Sequence, residues 1–357
     1  MSSFLTSFFQ MSKRLRLNIG YLAFPYILLG FGLAWSINDL SFKALNGSTI
    51  LRGFIAVIIS FIYMPYVFII NDFADAPFDA LNEKKKKRNP FCDPKVRNSL
   101  KIRILLLLPA IIVLSLGFFI SVEAGIVTII ALILGTFYSF PPRFKEKPIF
   151  DFLVHGFCLG LFFFALGFFS FYNIEEPFIQ PIFIILLFFS QVDGAWIQFD
   201  SQMIDYKTDK AGKQKTSVVF FGKSISVIID RILITSLMIL PSIYFLINPP
   251  FILYFSIEQQ ILYAITFLYL PIRLLTETRG GEDQFEHIRH VLSRYRVYVV
   301  YIMCILFVFL RLPSIYALNI IDELYWVFLI GFVVVIIIRE IMVYNRPMRS
   351  PFLTYKE

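Results

Sequence analysis

Residues 53–79 read GFIAVIISFIYMPYVFIINDFADAPFD, an apolar run that ends in a cluster of acidic and amide side chains. The run from Gly53 to Ile70 is long enough to cross the hydrocarbon of a bilayer, about 30 Å, as an α-helix. Acidic side chains at membrane depth are costly, and they normally mark a functional site or a buried pair. This segment therefore predicts a transmembrane helix with chemistry at its far end.

The composition extends this prediction to the whole chain. Of the 357 residues, 58% are hydrophobic and only 16% are charged, whereas a soluble domain is about half apolar and about a quarter charged. In hydrocarbon, backbone polar groups are satisfied only in helices or in a closed barrel. A barrel would show short alternating segments, but residues 102–120 are apolar all round. The sequence thus predicts an all-α protein, a polytopic membrane helical bundle.

We predict nine or ten transmembrane helices within a single membrane-embedded domain that spans residues 1–357. The core of this domain would be residues 15–310, followed by an extra C-terminal helix at 322–340. The eighth span is interrupted by polar residues 258–260, so both helix counts stay open. The first apolar run lacks a small-residue cleavage site, and we expect it to be retained as a helix. The predicted spans are 17–36, 50–72, 102–120, 124–140, 152–171, 178–200, 225–247, 252–275, 294–311 and 322–340.

Basic residues collect on one side of these spans. They lie in the segments 13–16, 84–88, 143–147, 207–215 and 279–296, while the opposite connections hold few basic residues. Because Lys and Arg concentrate on the cytoplasmic side, we expect the N-terminus and all these loops to face the cytoplasm in a cell membrane. The net charge of +8 is largely this asymmetry. Nucleic acid binding is not needed to explain it.

The first acidic cluster lies where the second span reaches the cytoplasmic face. On a helix, Asn71, Asp75 and Asp79 fall on one narrow stripe, and Asp72 lies close to it. Pro77 would bend the helix within this stripe. Carboxylates gathered in this way repel one another, and a hard divalent cation relieves that repulsion. Ligands that are all oxygen favour Mg2+ over Zn2+.

A second acidic cluster ends the sixth span. Asp205 and Asp209 are four residues apart, with Asp200 a turn above them, and we expect Gly212 to close the helix. Two acidic helix ends that face each other across a cavity suit metal ions that grip one diphosphate. The alternative is that these acids are interfacial residues that pair with nearby lysines.

Basic side chains accompany both clusters. Lys84 to Arg88 follow the first cluster, and Lys207 lies between the acids of the second. A third motif, YSFPPRFK at residues 138–145, ends the fourth span, and its two prolines would turn Arg143 and Lys145 toward the acids. Arg88, Arg143, Lys145 and Lys207 are therefore candidates to contact a diphosphate, although membrane orientation alone would also place lysines here.

Together, these motifs resemble the UbiA superfamily of intramembrane prenyltransferases. NDFADAPFD has the Asn-Asp-x-x-Asp-x-x-x-Asp spacing of that family, DYKTDKAGKQKT resembles its second motif, and YSFPPRFKEKP is similar to its Tyr-Ser-x-Pro-Pro segment. The resemblance implies nine helices around a central cavity, a prenyl diphosphate substrate, Mg2+ as cofactor and a lipophilic acceptor. The acceptor would be an aromatic quinone precursor, an archaeal-type glycerol lipid or a carotenoid.

The resemblance also assigns roles to individual residues. It implies that Mg2+ and diphosphate are bound by Asn71, Asp75, Asp79, Asp205 and Asp209. Asp72 lies within the first motif, so we include it among the residues that bind the diphosphate. Arg143 or Lys145 would assist at the diphosphate, and Tyr138 would lie near the allylic carbon.

Two other classes of membrane protein use clustered acids. A cation- or proton-coupled transporter usually places them near the bilayer midplane on broken helices, whereas here they lie at helix ends beside lysines. A phosphatidyl-group transferase has glycine and arginine inside its aspartate motif, and neither cluster contains that arrangement. His287 and His290 could share a helical face as metal ligands, and His155 could line the cavity, but a packed, hydrogen-bonded role for His155 is the alternative.

Overall fold

A computed structural model describes residues 23–37, 47–81, 83–171 and 181–247 of the chain. These residues all belong to one compact unit. The predicted eighth, ninth and tenth spans, and the His287–His290 pair, lie outside the described residues. The predicted single domain and its C-terminal extra helix therefore stay predictions.

Seven long helices account for most of the described residues. They are α1 (Phe24–Ile37), α2 (Gly47–Asp79), α3 (Leu100–Ile120), α4 (Val122–Ser139), α5 (Phe150–Phe169), α6 (Pro181–Ala211) and α7 (Ser217–Ile247). The middle of α5, Phe157–Leu161, is a π-helical turn. The helix α7 is interrupted at Gly222, which has a φ of 73°. Glycine adopts a positive φ without strain because it has no Cβ atom. The prediction of an all-α protein is confirmed, and each of the first seven predicted spans corresponds to one helix.

Four of these helices are long and apolar enough to cross a membrane: Gly47–Asp79, Val122–Ser139, Phe150–Phe169 and Phe183–Met203. Shorter apolar helices occur at Phe24–Ala34 and Leu106–Ile120. Large apolar side chains such as Phe54 and Leu107 point outward, with 66% and 63% of their surface exposed. An outward apolar surface of this kind is suited to lipid rather than water.

Glycines allow α5 to approach its neighbours closely. A Cβ atom on Gly30 of α1 would lie 2.0 Å from the carbonyl oxygen of Phe164, and one on Gly160 would lie 1.8 Å from that of Ser190 in α6. Neither position can hold a side chain without movement of the backbone. Small residues at helix contacts are the usual means of tight packing in membranes. They place α5 between α1 and α6.

An aromatic core fills the space between these helices. Phe162, Phe163 and Phe164 are fully buried in α5, and so is Tyr63 of α2. The Tyr63 hydroxyl donates to the carbonyl oxygen of Ala131 in α4 at 2.9 Å. A buried tyrosine needs such a partner for its hydroxyl. This contact ties α2 to α4 in the same bundle that the phenylalanines fill.

The polar ends of the helices meet at one end of the bundle, which we call the mouth. Here the Ser139 hydroxyl at the end of α4 donates to Asn71 Oδ1 of α2 at 2.9 Å. The backbone N–H of Ile149, just before α5, donates to the Ser217 hydroxyl at the start of α7 at 2.6 Å. The helix α4 ends at Ser139, as the two following prolines predict.

The helix α6 ends at Ala211, directly before Gly212 as predicted, but the glycine is not the left-handed residue of the cap. The left-handed residue is Lys213, with a φ of 55°. The Lys213 N–H donates to the Lys210 carbonyl, and the Gln214 N–H donates to the Asp209 carbonyl at 2.9 Å. This pair of bonds is a Schellman motif, and its left-handed position is normally a glycine. Gly212 takes the C-cap position and Lys213 the position after it, so a lysine adopts the strained conformation.

Candidate active site at the mouth

The first acidic cluster is helical throughout. The helix α2 runs to Asp79 and includes both Pro65 and Pro77. Asn71, Asp75 and Asp79 therefore lie four residues apart on continuous helix, which places them on one stripe as predicted.

Lys145 lies directly on this stripe. Its ammonium group is 2.5 Å and 2.6 Å from the two oxygens of Asp75 and 2.9 Å from Asn71 Oδ1. Only 16% of the lysine side chain is exposed. Burial lowers the pKa of Lys145, and the Asp75 carboxylate opposes part of that shift. A cation thus occupies the position where two predicted magnesium ligands of the first motif converge.

Arg143 approaches the same carboxylate from the turn after α4. Its guanidinium donates to Asp75 Oδ1 at 3.1 Å, to the Ser139 carbonyl at 3.2 Å and to Glu146. It also lies 4.9 Å from the centre of the Phe78 ring, within range of a cation–π interaction. The backbone of Arg143 is left-handed, with a φ of 57°, a conformation that carries strain in any residue other than glycine. This local conformation directs the guanidinium back over α2.

The charges in this group balance. Two cations, Arg143 and Lys145, face two carboxylates, Asp75 and Glu146. About a fifth of each of the Arg143 and Asp75 side chains is exposed, with 19% and 22%, so the group is open to an incoming ligand. Basic groups that already contact the acidic stripe are available to a phosphate without any large movement.

Tyr138 lies near residues of both acidic clusters. It is half-buried at the end of α4, and it interacts electrostatically with Asp75 of the first cluster and Asp209 of the second. The centre of its ring is 6.3 Å from that of His155 on α5. The structure therefore brings the predicted tyrosine, and the histidine considered for the cavity, to the same place.

The second cluster is less enclosed. Asp205 is exposed and Asp209 is nearly buried, and both lie in the last turns of α6. The side chains of Lys207 and Arg88 lie outside the described residues, so their predicted contacts stay predictions. Within the first cluster, direct side-chain bonds join Asn71 and Asp75 to their basic partners Arg143 and Lys145.

The donor set fits a magnesium ion that shares its coordination with substrate. In the described part of the chain, no three His, Cys, Asp or Glu side chains are grouped closely enough to hold a metal alone. Mg2+ rarely uses such cages and is usually bound by one or two carboxylates together with water and substrate phosphates. Each acidic stripe offers carboxylate or amide oxygens of that type.

Sequence reasoning missed two polar residues at the mouth. Asn89, ten residues after the first cluster, donates to Asp79 Oδ2 at 2.9 Å and to the Asp72 carbonyl at 2.7 Å. Asp151 is fully buried at the start of α5 and accepts hydrogen bonds from both the N–H and the hydroxyl of Ser217. Asp151 offered a signal, since a lone acid at the start of an apolar span needs a partner. Asn89 offered none.

Several solved structures have a fold similar to that of this chain. A UbiA homologue from Archaeoglobus fulgidus, bound to GPP and Mg2+, is 17% identical, with a TM-score of 0.55 over 84% of this chain and 98% of that one. An apo UbiA homologue from Aeropyrum pernix K1 is 13% identical, with a TM-score of 0.56 over 80% and 98%. A structure described for digeranylgeranylglyceryl phosphate synthase in membranes is 16% identical, with a TM-score of 0.60 over 85% and 97%.

Family comparison agrees with the fold. Curated protein sequences give no match to this chain. The sequence model of the UbiA prenyltransferase family, however, matches residues 23–284, which is more than half of the chain and contains all three motifs. With the fold, the acidic stripes and the basic turn in place, the chain belongs to the UbiA prenyltransferase family.

Proposed function

We propose that this membrane-embedded enzyme ionises an allylic prenyl diphosphate at the mouth, with Mg2+, and transfers the prenyl group to a lipophilic acceptor. One observation carries the proposal: the acidic stripe of α2 and the basic turn after α4 contact each other through Asp75 and Lys145. Acids that hold a metal and bases that hold a phosphate are both needed at a diphosphate. Family membership supports this activity over the transporter alternative.

Different residues of the mouth would bind the magnesium ion and the diphosphate. Asn71, Asp75, Asp79, Asp205 and Asp209 would hold Mg2+, which neutralises the charge that grows on the diphosphate as it leaves. Asp72, Arg88, Arg143, Lys145 and Lys207 are the proposed diphosphate contacts. Arg143 is suited to grip two phosphate oxygens at once. Lys145, which now neutralises Asp75, would exchange that contact for a phosphate oxygen.

Ionisation breaks the bond between C1 of the prenyl chain and the diphosphate oxygen, and the electron pair leaves with the diphosphate. Tyr138 would stabilise the allylic cation through its ring face. The buried phenylalanines of α5 supply an apolar interior that excludes water from the cation. An electron-rich atom of the acceptor then bonds to C1, and the acceptor loses a proton to the diphosphate or to water.

Acceptors of three classes suit this scheme: an aromatic quinone precursor, a glycerol-based lipid and a carotenoid. The similar structure of digeranylgeranylglyceryl phosphate synthase supports including the glycerol lipid. The basic segments support, by the positive-inside rule, the proposal that the mouth faces the cytoplasm. Labelling of Cys92, which lies partly exposed beside the first cluster, with an impermeant thiol reagent tests that orientation. Cys92 should react only when the cytoplasmic side is accessible.

The test of the activity is a transfer assay in nanodiscs with labelled geranylgeranyl diphosphate and Mg2+. The acceptor panel contains a hydroxybenzoate, a naphthoate, a glycerol phosphate lipid and lycopene. We expect magnesium-dependent product with one class. If no acceptor gives product and no diphosphate is released or bound under any condition, the proposal is wrong, and cation transport in proteoliposomes becomes the assay to run.

A further inference from the structure

Both the oxygen and the nitrogen of the Asn89 side-chain amide form hydrogen bonds. The oxygen accepts the backbone N–H of Phe91 at 3.0 Å and caps the short 3-10 helix Pro90–Cys92. The nitrogen donates to Asp79 Oδ2 at 2.9 Å and to the Asp72 carbonyl at 2.7 Å. Only 5% of the residue is exposed. The amide therefore joins the chain after the lysine-rich segment to the acidic stripe of α2.

A capping role alone does not explain an asparagine here. Serine, threonine and aspartate cap helices about as well, because a cap needs only a side-chain oxygen. Of these residues, asparagine alone adds two N–H donors on the same group. Both donors of Asn89 are directed at α2, and one of them meets a carboxylate of the first motif.

The chemistry of this contact differs from that at Asp75. Lys145 and Arg143 bring positive charge to Asp75, whereas Asn89 brings a neutral donor to Asp79. A neutral donor fixes the direction of a carboxylate without itself neutralising the negative charge. Hydrogen bonds of this kind to metal-ligating carboxylates typically change metal affinity by about 10- to 100-fold.

We infer that Asn89 is a positioning residue, which orients the Asp79 carboxylate for magnesium and diphosphate. The inference rests on the proposed function, and it assigns a role to a residue outside the three motifs. The hydrogen bonds of Asn89 also hold the end of the segment 80–88 beside the first cluster. The ring of Phe91 packs edge-on against Phe73 at 5.6 Å, and Cys92 Sγ contacts the Ala76 carbonyl at 3.4 Å.

These neighbouring contacts make the role testable. Because Phe91 and Cys92 also anchor the segment, loss of the Asn89 donors should alter the site more than the fold. Asn89→Ser and Asn89→Thr each keep a capping oxygen, add no charge and remove the amide donors. Asp93→Asn is the matched control, since Asp93 caps the next helical turn through the Lys95 N–H at 2.8 Å and lies at the exposed side of the segment.

The experiment measures binding of a non-hydrolysable geranylgeranyl diphosphate analogue across a range of Mg2+ concentrations, with the unfolding temperature of each variant in detergent. We expect both Asn89 variants to need at least about tenfold more Mg2+ for half-maximal binding, with unfolding temperatures close to that of the Asp93→Asn control. An unchanged magnesium requirement would overturn the positioning role. The positioning role would also be overturned if binding fell in proportion to the amount of folded protein, by the same factor at every Mg2+ concentration. Absence of magnesium-dependent binding in the unaltered protein would instead overturn the proposed function.

Discussion

Asp75 and Asp151 are two carboxylates at the same end of the bundle in opposite surroundings. Asp75 contacts the charged groups of Lys145 and Arg143 and keeps 22% of its side chain exposed. Asp151 is fully buried, and the groups that donate to it are neutral. They are the N–H and hydroxyl of Ser217 at 2.7 Å and 2.5 Å, the Gln202 amide at 2.8 Å and the Phe152 N–H at 2.8 Å.

This difference separates a carboxylate available for exchange from one built into the fold. The partners of Asp75 are flexible side chains that can move to a phosphate, and its exposed surface admits a ligand. The donors of Asp151 include two backbone N–H groups, and they join α5, α6 and α7. Each oxygen of Asp151 accepts two hydrogen bonds, so the group is saturated. Asp75 should therefore control activity, and Asp151 should control stability.

The largest effect is expected from Asp75→Asn. Loss of the charge removes a proposed magnesium ligand and the partner of Lys145, so transfer should fall by about a thousandfold or more, as for other groups that stabilise developing charge. The unfolding temperature in detergent should stay near that of the unaltered protein. The measurement is product formed per folded protein at saturating Mg2+, and activity within threefold of the original would contradict the assignment.

Asp151→Asn should give the opposite result. Replacing an acceptor oxygen by an NH2 group leaves a donor of Ser217 or Gln202 facing another donor, without an acceptor. A buried donor without an acceptor lowers the free energy of unfolding by about 1–3 kcal/mol. The unfolding temperature should fall, while the folded fraction keeps its activity. Ser217→Ala should destabilise in the same direction, and Ser201→Ala on the exposed surface of α6 is its matched control. A stable but inactive Asp151→Asn protein would place Asp151 in the chemistry.

Lys145→Met should have an intermediate effect. The variant keeps the length of the side chain and removes the charge, so the KM for prenyl diphosphate should rise by about tenfold, the equivalent of about 1.4 kcal/mol. Lys147→Met is the control, because Lys147 is exposed and forms no ion pair among the described residues. Equal effects of the two substitutions would show that only the general positive charge of the turn matters.

The smallest effect is expected from Lys213→Gly. A glycine removes the left-handed strain at the end of α6, which should stabilise the protein by about 1 kcal/mol. Activity should not change, which would show again that stability and catalysis respond to different residues of the mouth. The check is the unfolding temperature, and a fall would mean that the lysine side chain contributes more than its backbone costs.

Much of the mouth could be predicted from short-range sequence patterns. Positions 71, 75 and 79 share a stripe because any continuous helix places them there. Pro141 and Pro142 end α4 because proline lacks an N–H and clashes with the preceding turn.

Contacts that depend on tertiary folding could not be predicted in this way. The donors to Asp151 come from residues 51 and 66 positions away, and no spacing rule relates them. Lys145 meets both Asp75 and Asn71 because Arg143 adopts a left-handed conformation that its sequence does not demand. Asn89 reaches Asp79 only after the segment between them folds back. The end of α6 at Gly212 could be predicted, but not that Lys213 rather than the glycine takes the left-handed position.

The most direct test of the account compares magnesium-dependent binding of labelled geranylgeranyl diphosphate in nanodiscs for the unaltered protein, Asp75→Asn and Asp151→Asn. The account predicts binding that requires Mg2+ in the unaltered protein, persists in the folded fraction of Asp151→Asn and is lost in Asp75→Asn. Binding that ignores Mg2+, or that survives in Asp75→Asn and disappears in Asp151→Asn, would contradict the assignment of the mouth as a magnesium–diphosphate site.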